Sequence, residues 1–328
     1  MTLNEIHRDP NGQTALYQTE DRYFRLLEQR FGQRFLNYRQ RWQETSERAE
    51  PGDFPLSLDL AINSGCQLRC LMCPLPGRPE RRQLRLMEPR TFERLMAEAE
   101  ERRLPALTLG LASEPLLNPQ AAAWAGRAVR AGIMDIRLGS NGLALSADAA
   151  KALVDSGLTR LEISLDAATP GTYRAVRGGD LSALERAIEQ FLEIRQAAGL
   201  ETPLLRLSFL RLEINGNERG LFLERWKDLA DMISLQEPIW FPGSALPRPE
   251  QPGQPMAGVC AQSWQRLGVE HDGRVWPCCS WYGEGLLPFN VNDLSVAGIW
   301  RSPEMEALRR SLSGPVDGFP AACRQCEF

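Results

Sequence analysis

Residues 56–73 read LSLDLAINSGCQLRCLMC. The opening LSLDLAI (56–62) is a short apolar run of the kind that forms a buried strand. Directly after it come Cys66, Cys70 and Cys73 at C-x3-C-x2-C spacing. A loop that short has no room for structure between its thiols, and no fourth cysteine lies near it.

Working outward, short apolar runs alternate with helix-period segments. The strand candidates are 56–62, 106–111, 135–139, 160–165, 204–212 and 232–236. Helix-like segments 89–103, 118–132, 146–157, 180–199 and 217–231 fall between or after them. Alternating strand and helix predicts a parallel sheet with right-handed crossovers. Six units fit a partial (β/α)6 TIM-like barrel; an open doubly wound sheet is the alternative. The unusual residues all follow strands: CQLRCLMC the first, ASEP (112–115) the second, SNG (140–142) the third, DAATPGTYRAVRGG (166–179) the fourth. In barrels and open α/β sheets that face carries the chemistry.

Residues 1–54 form a polar, charged extension. Leu27, Phe31, Phe35, Tyr38 and Trp42 recur three or four apart with arginines between them. That predicts an amphipathic helix packed on the main domain; the sharper alternative is an arm for nucleic acid or peptide. Residues 49–55 read as a linker. Residues 55–240 form the barrel. Residues 241–328 comprise a Pro- and Gly-rich segment (241–256) and a small cysteine domain.

The 328 residues carry a net charge of −4, which gives no basic field for nucleic acid. No apolar run is long enough to span a bilayer, and the N-terminus lacks the apolar stretch of a secretory signal. These features predict a cytoplasmic protein. In a reducing compartment, the eight cysteines point to metal or chemistry rather than disulfides. They fall in two groups, three early and five late (Cys260, Cys278, Cys279, Cys323 and Cys326). Only His7 and His271 are present, so mixed Cys/His zinc sites and histidine acid–base catalysis are poorly supplied.

From the residues alone, three crowded thiols admit a zinc site with a distant ligand, a structural cluster, or three corners of an iron–sulfur cubane whose fourth iron stays open. With its place after the first barrel strand, the motif resembles the radical S-adenosylmethionine (SAM) superfamily. The resemblance implies a [4Fe–4S] cluster whose open iron binds SAM. It also implies cleavage of SAM to methionine and a 5′-deoxyadenosyl radical, which abstracts a substrate hydrogen. It implies, residue by residue, Met72 beside the adenine in place of the family's frequent aromatic. Glu114 of SEP would accept from the SAM amino group, where the usual glycines are replaced. Asn141 would line the pocket, Ser164 and Asp166 would lie near the ribose, and Arg177 and Ser208 would hold carboxylate groups.

Cys260, Cys278, Cys323 and Cys326 can close a second site. Asp272-Gly273 suggests a hairpin that Cys278 leaves, and a helix near 303–312 carries the chain back to CRQC. A four-cysteine zinc site is one reading. GRVWPC and the terminal C-x2-C resemble the SPASM/twitch extension of radical SAM enzymes, implying an auxiliary [4Fe–4S] cluster. The sequence stops at Phe328 without the further cysteines of a full SPASM domain, so a twitch-like unit is expected. Cys279 is left over, either a hydrogen-atom donor or a small buried residue.

The cysteine spacing is similar to 2-deoxy-scyllo-inosamine dehydrogenase. The expected reaction is therefore two-electron oxidation of a hydroxyl-bearing carbon on a sugar or cyclitol, with Gln236 and Glu237 available to its hydroxyls. The alternatives are peptide modification or epimerisation, and a non-enzymatic iron–sulfur or zinc scaffold. Expected partners are that small molecule or a peptide, and an electron donor such as flavodoxin or ferredoxin.

Overall fold

The computed structural model describes residues 7–8, 14–17, 20–78, 83–248, 260–278, 280, 284–324 and 326. A hairpin of β1 (His7–Arg8) and β2 (Thr14–Tyr17) leads into α1 (Glu20–Phe31) and α2 (Gln33–Arg48). The barrel follows: β3 (Ser57–Leu60), α3 (Pro89–Glu101), β4 (Ala106–Leu109), α4 (Ala121–Arg130), β5 (Asp135–Ser140), α5 (Ala147–Asp155), β6 (Arg160–Ser164), α6 (Pro170–Arg177), α7 (Leu181–Ala197), β7 (Leu204–Leu210), α8 (Arg219–Trp226) and β8 (Met232–Gln236). The C-terminal unit holds α9 (Gln262–Gln265), β9 (Arg266–Val269), β10 (Val275–Trp276), α10 (Val296–Trp300), α11 (Pro303–Leu312) and α12 (Ala321–Arg324).

Strands β3 to β8 lie side by side in chain order, all parallel. The fold is the partial (β/α)6 barrel expected from the six units. Period two sorts the strand residues. Leu58, Leu60, Leu107, Leu109, Ile136, Leu138, Leu161, Ile163, Leu205 and Leu207 are fully buried against the helix layer, which supplies Phe92, Trp124, Leu153, Ile188, Phe191 and Trp226. The residues between them, including Asp59, Arg137, Glu162 and Arg206, face the other way. Helices begin where short polar side chains satisfy free backbone N–H groups: Ser146, Thr169 and Asp180 cap α5, α6 and α7.

The N-terminal extension is two helices rather than one. Gly32, with φ of 55°, breaks it between Phe31 and Gln33. Its aromatic stripe is a plug. Tyr23, Leu27, Phe35 and Tyr38 are buried with Leu56, Ala106, Met134, Leu204 and Met232, the residues at or next to the amino ends of five strands. This is the packed-helix reading of the stripe. Unforeseen was the β1–β2 hairpin, which adds to the sheet by pairing β2 antiparallel to β8 from Thr14↔Gln236 to Tyr17↔Ile233.

The C-terminal unit also enters the sheet. The hairpin expected around Asp272-Gly273 forms, with Gly273 at φ +88°. Its first strand, β9, pairs in parallel with β3 from Ser57↔Arg266 to Leu60↔Val269. One ten-stranded sheet therefore runs β1-β2-β8-β7-β6-β5-β4-β3-β9-β10. Among the described residues no helix is long and apolar enough to cross a membrane.

Candidate active site

The loops at the carboxyl ends of the strands meet over the barrel mouth. The cysteine loop is tied at both flanks: Leu71 N donates to Val176 O at 2.9 Å, and Ala245 N to Leu71 O at 2.8 Å. Each thiol has an N–H donor. Cys66 Sγ accepts from Leu68 N at 3.4 Å and Asn141 Nδ2 at 3.5 Å, Cys73 Sγ from Leu75 N at 3.4 Å, and Cys70 Sγ from Arg177 Nη1 at 3.7 Å. Burial pushes Cys66 up to about 11 and Cys73 to about 12, and raises Cys70 as well. The three lie close enough that each charge would raise its neighbours further. Thiolates in this setting need a strong local cation to stay ionised.

Glu114 is the keystone of the next two loops. It is 1% exposed. Its carboxylate accepts from Leu116 N at 3.0 Å, Ser140 Oγ at 2.7 Å and Asn141 N at 2.6 Å. Asn63 Nδ2 donates to the Glu114 carbonyl at 2.7 Å, and Glu114 N donates to Gly65 O at 2.9 Å. The loops approach this closely because Gly110, at φ +114°, has no Cβ; one would lie 2.5 Å from Gly139 O. Burial pushes the Glu114 carboxyl up, and its three donors only partly oppose that. Asn141 Oδ1 is held by Gln67 Nε2 at 3.1 Å and Leu143 N at 3.0 Å, which turns its amide nitrogen toward Cys66.

The fourth loop departs from the expectation of separate ribose and carboxylate contacts. Asp166 is fully buried in the left-handed region (φ 61°), which Asp tolerates better than most residues. One carboxylate oxygen accepts from Leu210 N at 2.6 Å; the other takes Arg177 Nε at 2.7 Å and Nη2. The two residues are thus a buried ion pair. Burial alone would lower the arginine's pKa, but Asp166 outweighs it and raises it. Ser164 and Ser208 pair across β6 and β7, and Ser208 with Ser234 across β8, so three serines form one row across the sheet. Met72 is half-buried in the cysteine loop.

Gln236 turns to Ser234 Oγ at 3.2 Å, whereas Glu237 pairs with Arg211 Nη2 at 2.8 Å. That exposed pair borders a cavity of about 830 Å3 lined by Leu71, Leu212, Ile214, Pro238 and Leu246. In the C-terminal unit Cys260, Cys278, Cys323 and Cys326 are half-buried and form no disulfide. Burial and the neighbouring Cys260 push Cys323 up to about 11. Cys279 lies outside the described residues. Sequence reasoning missed Asn63, Gln67 and Ser140. Their only signal was a polar residue within a few positions of a strand's end, which turns also produce.

Comparison with known proteins agrees with this geometry. Residues 60–202 match the Radical SAM superfamily, and residues 260–327 the iron–sulfur cluster-binding SPASM domain. A probable GTP 3′,8-cyclase of Methanococcus vannielii is 28% identical over 181 residues, 55% of this chain and 58% of the relative's own length. The fold is similar to BtrN in complex with AdoMet and 2-DOIA (TM-score 0.54, 14% identity, 83% of this chain and 92% of that one). It is likewise similar to Streptococcus suis SuiB bound to precursor peptide SuiA (TM-score 0.59, 14% identity, 90% and 74%).

The cofactors of these domains are [4Fe–4S] clusters and SAM, and the residues fit them. Among the described residues no three metal-binding side chains converge on a single ion. Two hydroxyls, Ser113 Oγ and Tyr173 Oη, are shielded from solvent with no hydrogen-bond partner. Ser113 lies in the Glu114 loop and Tyr173 in the Arg177 helix, where a polar cofactor would give such groups partners. With its barrel, its three-cysteine loop and its C-terminal cysteines, the chain belongs to the radical SAM superfamily and carries a SPASM iron–sulfur cluster-binding domain.

Proposed function

We propose that the chain reductively cleaves SAM and oxidises a hydroxyl-bearing carbon of a sugar or cyclitol to a carbonyl. The observation that carries this reading is the convergence of Cys66, Cys70 and Cys73 with Glu114, Asn141 and Arg177 at one barrel mouth. Cys66, Cys70 and Cys73 would hold the cluster that with SAM would supply a 5′-deoxyadenosyl radical for taking the carbon-bound hydrogen, and Cys260, Cys278, Cys323 and Cys326 would hold a second cluster able to take up the second electron, the hydroxyl proton leaving to solvent. A small reductant of the flavodoxin or ferredoxin class supplies the first electron.

The chain's own residues position the reactants. A carboxylate offers about four lone-pair sites; three are used on Glu114, which leaves one for the SAM ammonium. Ser164 and Ser208 offer hydroxyls at the ends of β6 and β7, and Met72 an apolar body for the adenine. Asp166 acts indirectly, by holding Arg177 over Cys70. Anaerobic, reconstituted protein with SAM, dithionite and candidate cyclitols is expected to yield 5′-deoxyadenosine and a product two mass units lighter. Absence of 5′-deoxyadenosine overturns the reading.

One observation favours peptide modification as a second reading. The cavity beside Leu71 is mostly apolar, with Glu213 and the Arg211–Glu237 pair as its charged members, which suits apolar side chains better than a polyol. Carbon-bound solvent deuterium in a peptide product, lost in Cys279→Ala, would identify epimerisation; a mass loss of two without it would identify oxidation or crosslinking.

A further inference from the structure

The cysteine loop and two segments tied to it each present an arginine to solvent. Arg69 stands in the loop itself, between Cys66 and Cys70. Arg85 belongs to the segment 83–86, which is laid along the residues that enter the loop. Ser64 N donates to Arg85 O at 2.9 Å, Arg85 N donates to Ser64 Oγ at 3.0 Å, and Leu86 bridges Asn63. Arg174 is on α6, whose Val176 O accepts from Leu71 N at 2.9 Å. All three arginines are exposed. Among the described residues none of them has a carboxylate partner; Arg85 Nη2 reaches only Gln83 Oε1, at 3.3 Å.

The segment beside Arg85 is also apolar. Leu84 and Leu86 are 47% and 42% exposed. Leu84 is seated over Gly65, where a Cβ would lie 3.0 Å from Leu84 Cδ1. One exposed leucine needs no explanation. Two in a four-residue segment, at the entry to the thiols and with arginines about them, form a patch of the kind that marks an interaction site.

We propose that this surface docks a small acidic electron-transfer protein, the carrier of the first electron. The inference rests on the function proposed above, in which SAM cleavage is reductive. Position is the first argument. Electron transfer slows steeply with distance, so the carrier must come against the protein close to the thiols it serves. Cys66, Cys70 and Cys73 are only half-buried, so a cluster held there would lie near this surface. Charge is the second. Carriers of the flavodoxin and ferredoxin class are acidic, and this chain has a net charge of −4. Two anionic proteins meet productively only where local cations draw one to the other. Surface character is the third. Transient redox encounters bury little area. Arginines at such a contact orient the partner while leucines exclude water, whereas a sugar or cyclitol has no use for exposed leucines. In the docked pair the carrier would lose one electron and the cluster gain it, with no bond made or broken.

The test uses the full chain, anaerobic and carrying its clusters, with SAM cleavage driven either by dithionite or by a recombinant flavodoxin with its NADPH-dependent reductase. Arg85→Glu and, independently, Arg174→Glu should each raise the flavodoxin concentration needed for half-maximal cleavage roughly tenfold, and Leu84→Ser roughly threefold. With dithionite all three should match the unaltered protein in rate and in bound iron. Arg130→Glu, at the end of α4 and so at the opposite mouth, should change neither. Raising ionic strength from about 0.05 to about 0.5 M should weaken the flavodoxin-driven reaction more than the dithionite-driven one. Calorimetric binding of oxidised flavodoxin, which needs no turnover, should follow the same order of variants. Undiminished binding and flavodoxin-driven cleavage in both charge reversals would overturn the proposal. So would equal losses with dithionite, which would assign the surface to substrate or to the loop's own structure. Absence of 5′-deoxyadenosine even with dithionite counts against the proposed function alone, and the binding order still decides the docking surface.

Discussion

The two mouths of this barrel are finished in opposite ways. At the carboxyl ends of the strands, loops of five to 28 residues bring together thiols, one buried carboxylate and an Asp–Arg pair, joined by hydrogen bonds between loops. At the amino ends, two helices press aromatic rings onto the first residues of the strands, over a layer of arginines and carboxylates. The first mouth is held by short local bonds and leaves thiols and hydroxyls for a cofactor. The second is held by apolar burial and long-range ion pairs. Changes at the first should therefore show in chemistry, and changes at the second in stability.

The largest effect expected is that of Cys66→Ala. It should abolish 5′-deoxyadenosine formation and lower bound iron and sulfide by one cluster, with the C-terminal unit keeping its own. Retained turnover would break the division.

Glu162→Gln should act at the other mouth. Burial pushes this carboxyl up, but Arg206, Arg137 and Arg160 outweigh that and hold it at about 2. A depressed carboxylate stabilises the fold fully above its unfolded pKa. The stabilisation fades as pH falls from the mid-4 range through about 2. The variant should lose roughly 3 kcal/mol near neutral pH by urea denaturation, with a flatter acid limb.

Arg177→Gln comes next, with a roughly 10–100-fold fall in SAM cleavage. Because a charged donor to a cluster sulfur favours the reduced state, the midpoint potential should also drop. An unchanged potential would make Arg177 merely structural. Tyr23→Phe should cost about 1–2 kcal/mol, with SAM cleavage intact. The smallest effect belongs to Arg211→Ala. Its exposed pair with Glu237 should leave stability unchanged while raising KM, if the cavity beside Leu71 takes substrate.

Much of the first mouth was legible. Alternating strands and helices dictate a parallel sheet, and its carboxyl edge collects whatever follows each strand, so the segments ASEP and SNG could be placed by position, while the roles of Glu114 and Asn141 came from the family resemblance. The Asp166–Arg177 pair could not. The two stand eleven residues apart, and α6 brings them together only once its helical turn is built. The second mouth was legible in outline: the aromatic stripe survives the break at Gly32 because Phe31 and Phe35 keep their spacing. Its arginines were overlooked inside DIRLG, RLEISL and LLRLSFLRL. A signal existed. In a parallel barrel the outer face is covered by helices, so a charged residue alternating with leucine must point inward. The pairing of β9 with β3 left no trace, since parallel partners this far apart share no period or turn.

That pairing has a practical consequence. With β9 seated on β3, the proline-rich stretch after residue 241 bridges two parts of one continuous sheet. Separating the halves there would bare the β3 edge on one fragment and the β9 edge on the other. Each would be a template for adhesion between molecules. Coexpressed halves should therefore either find each other or precipitate.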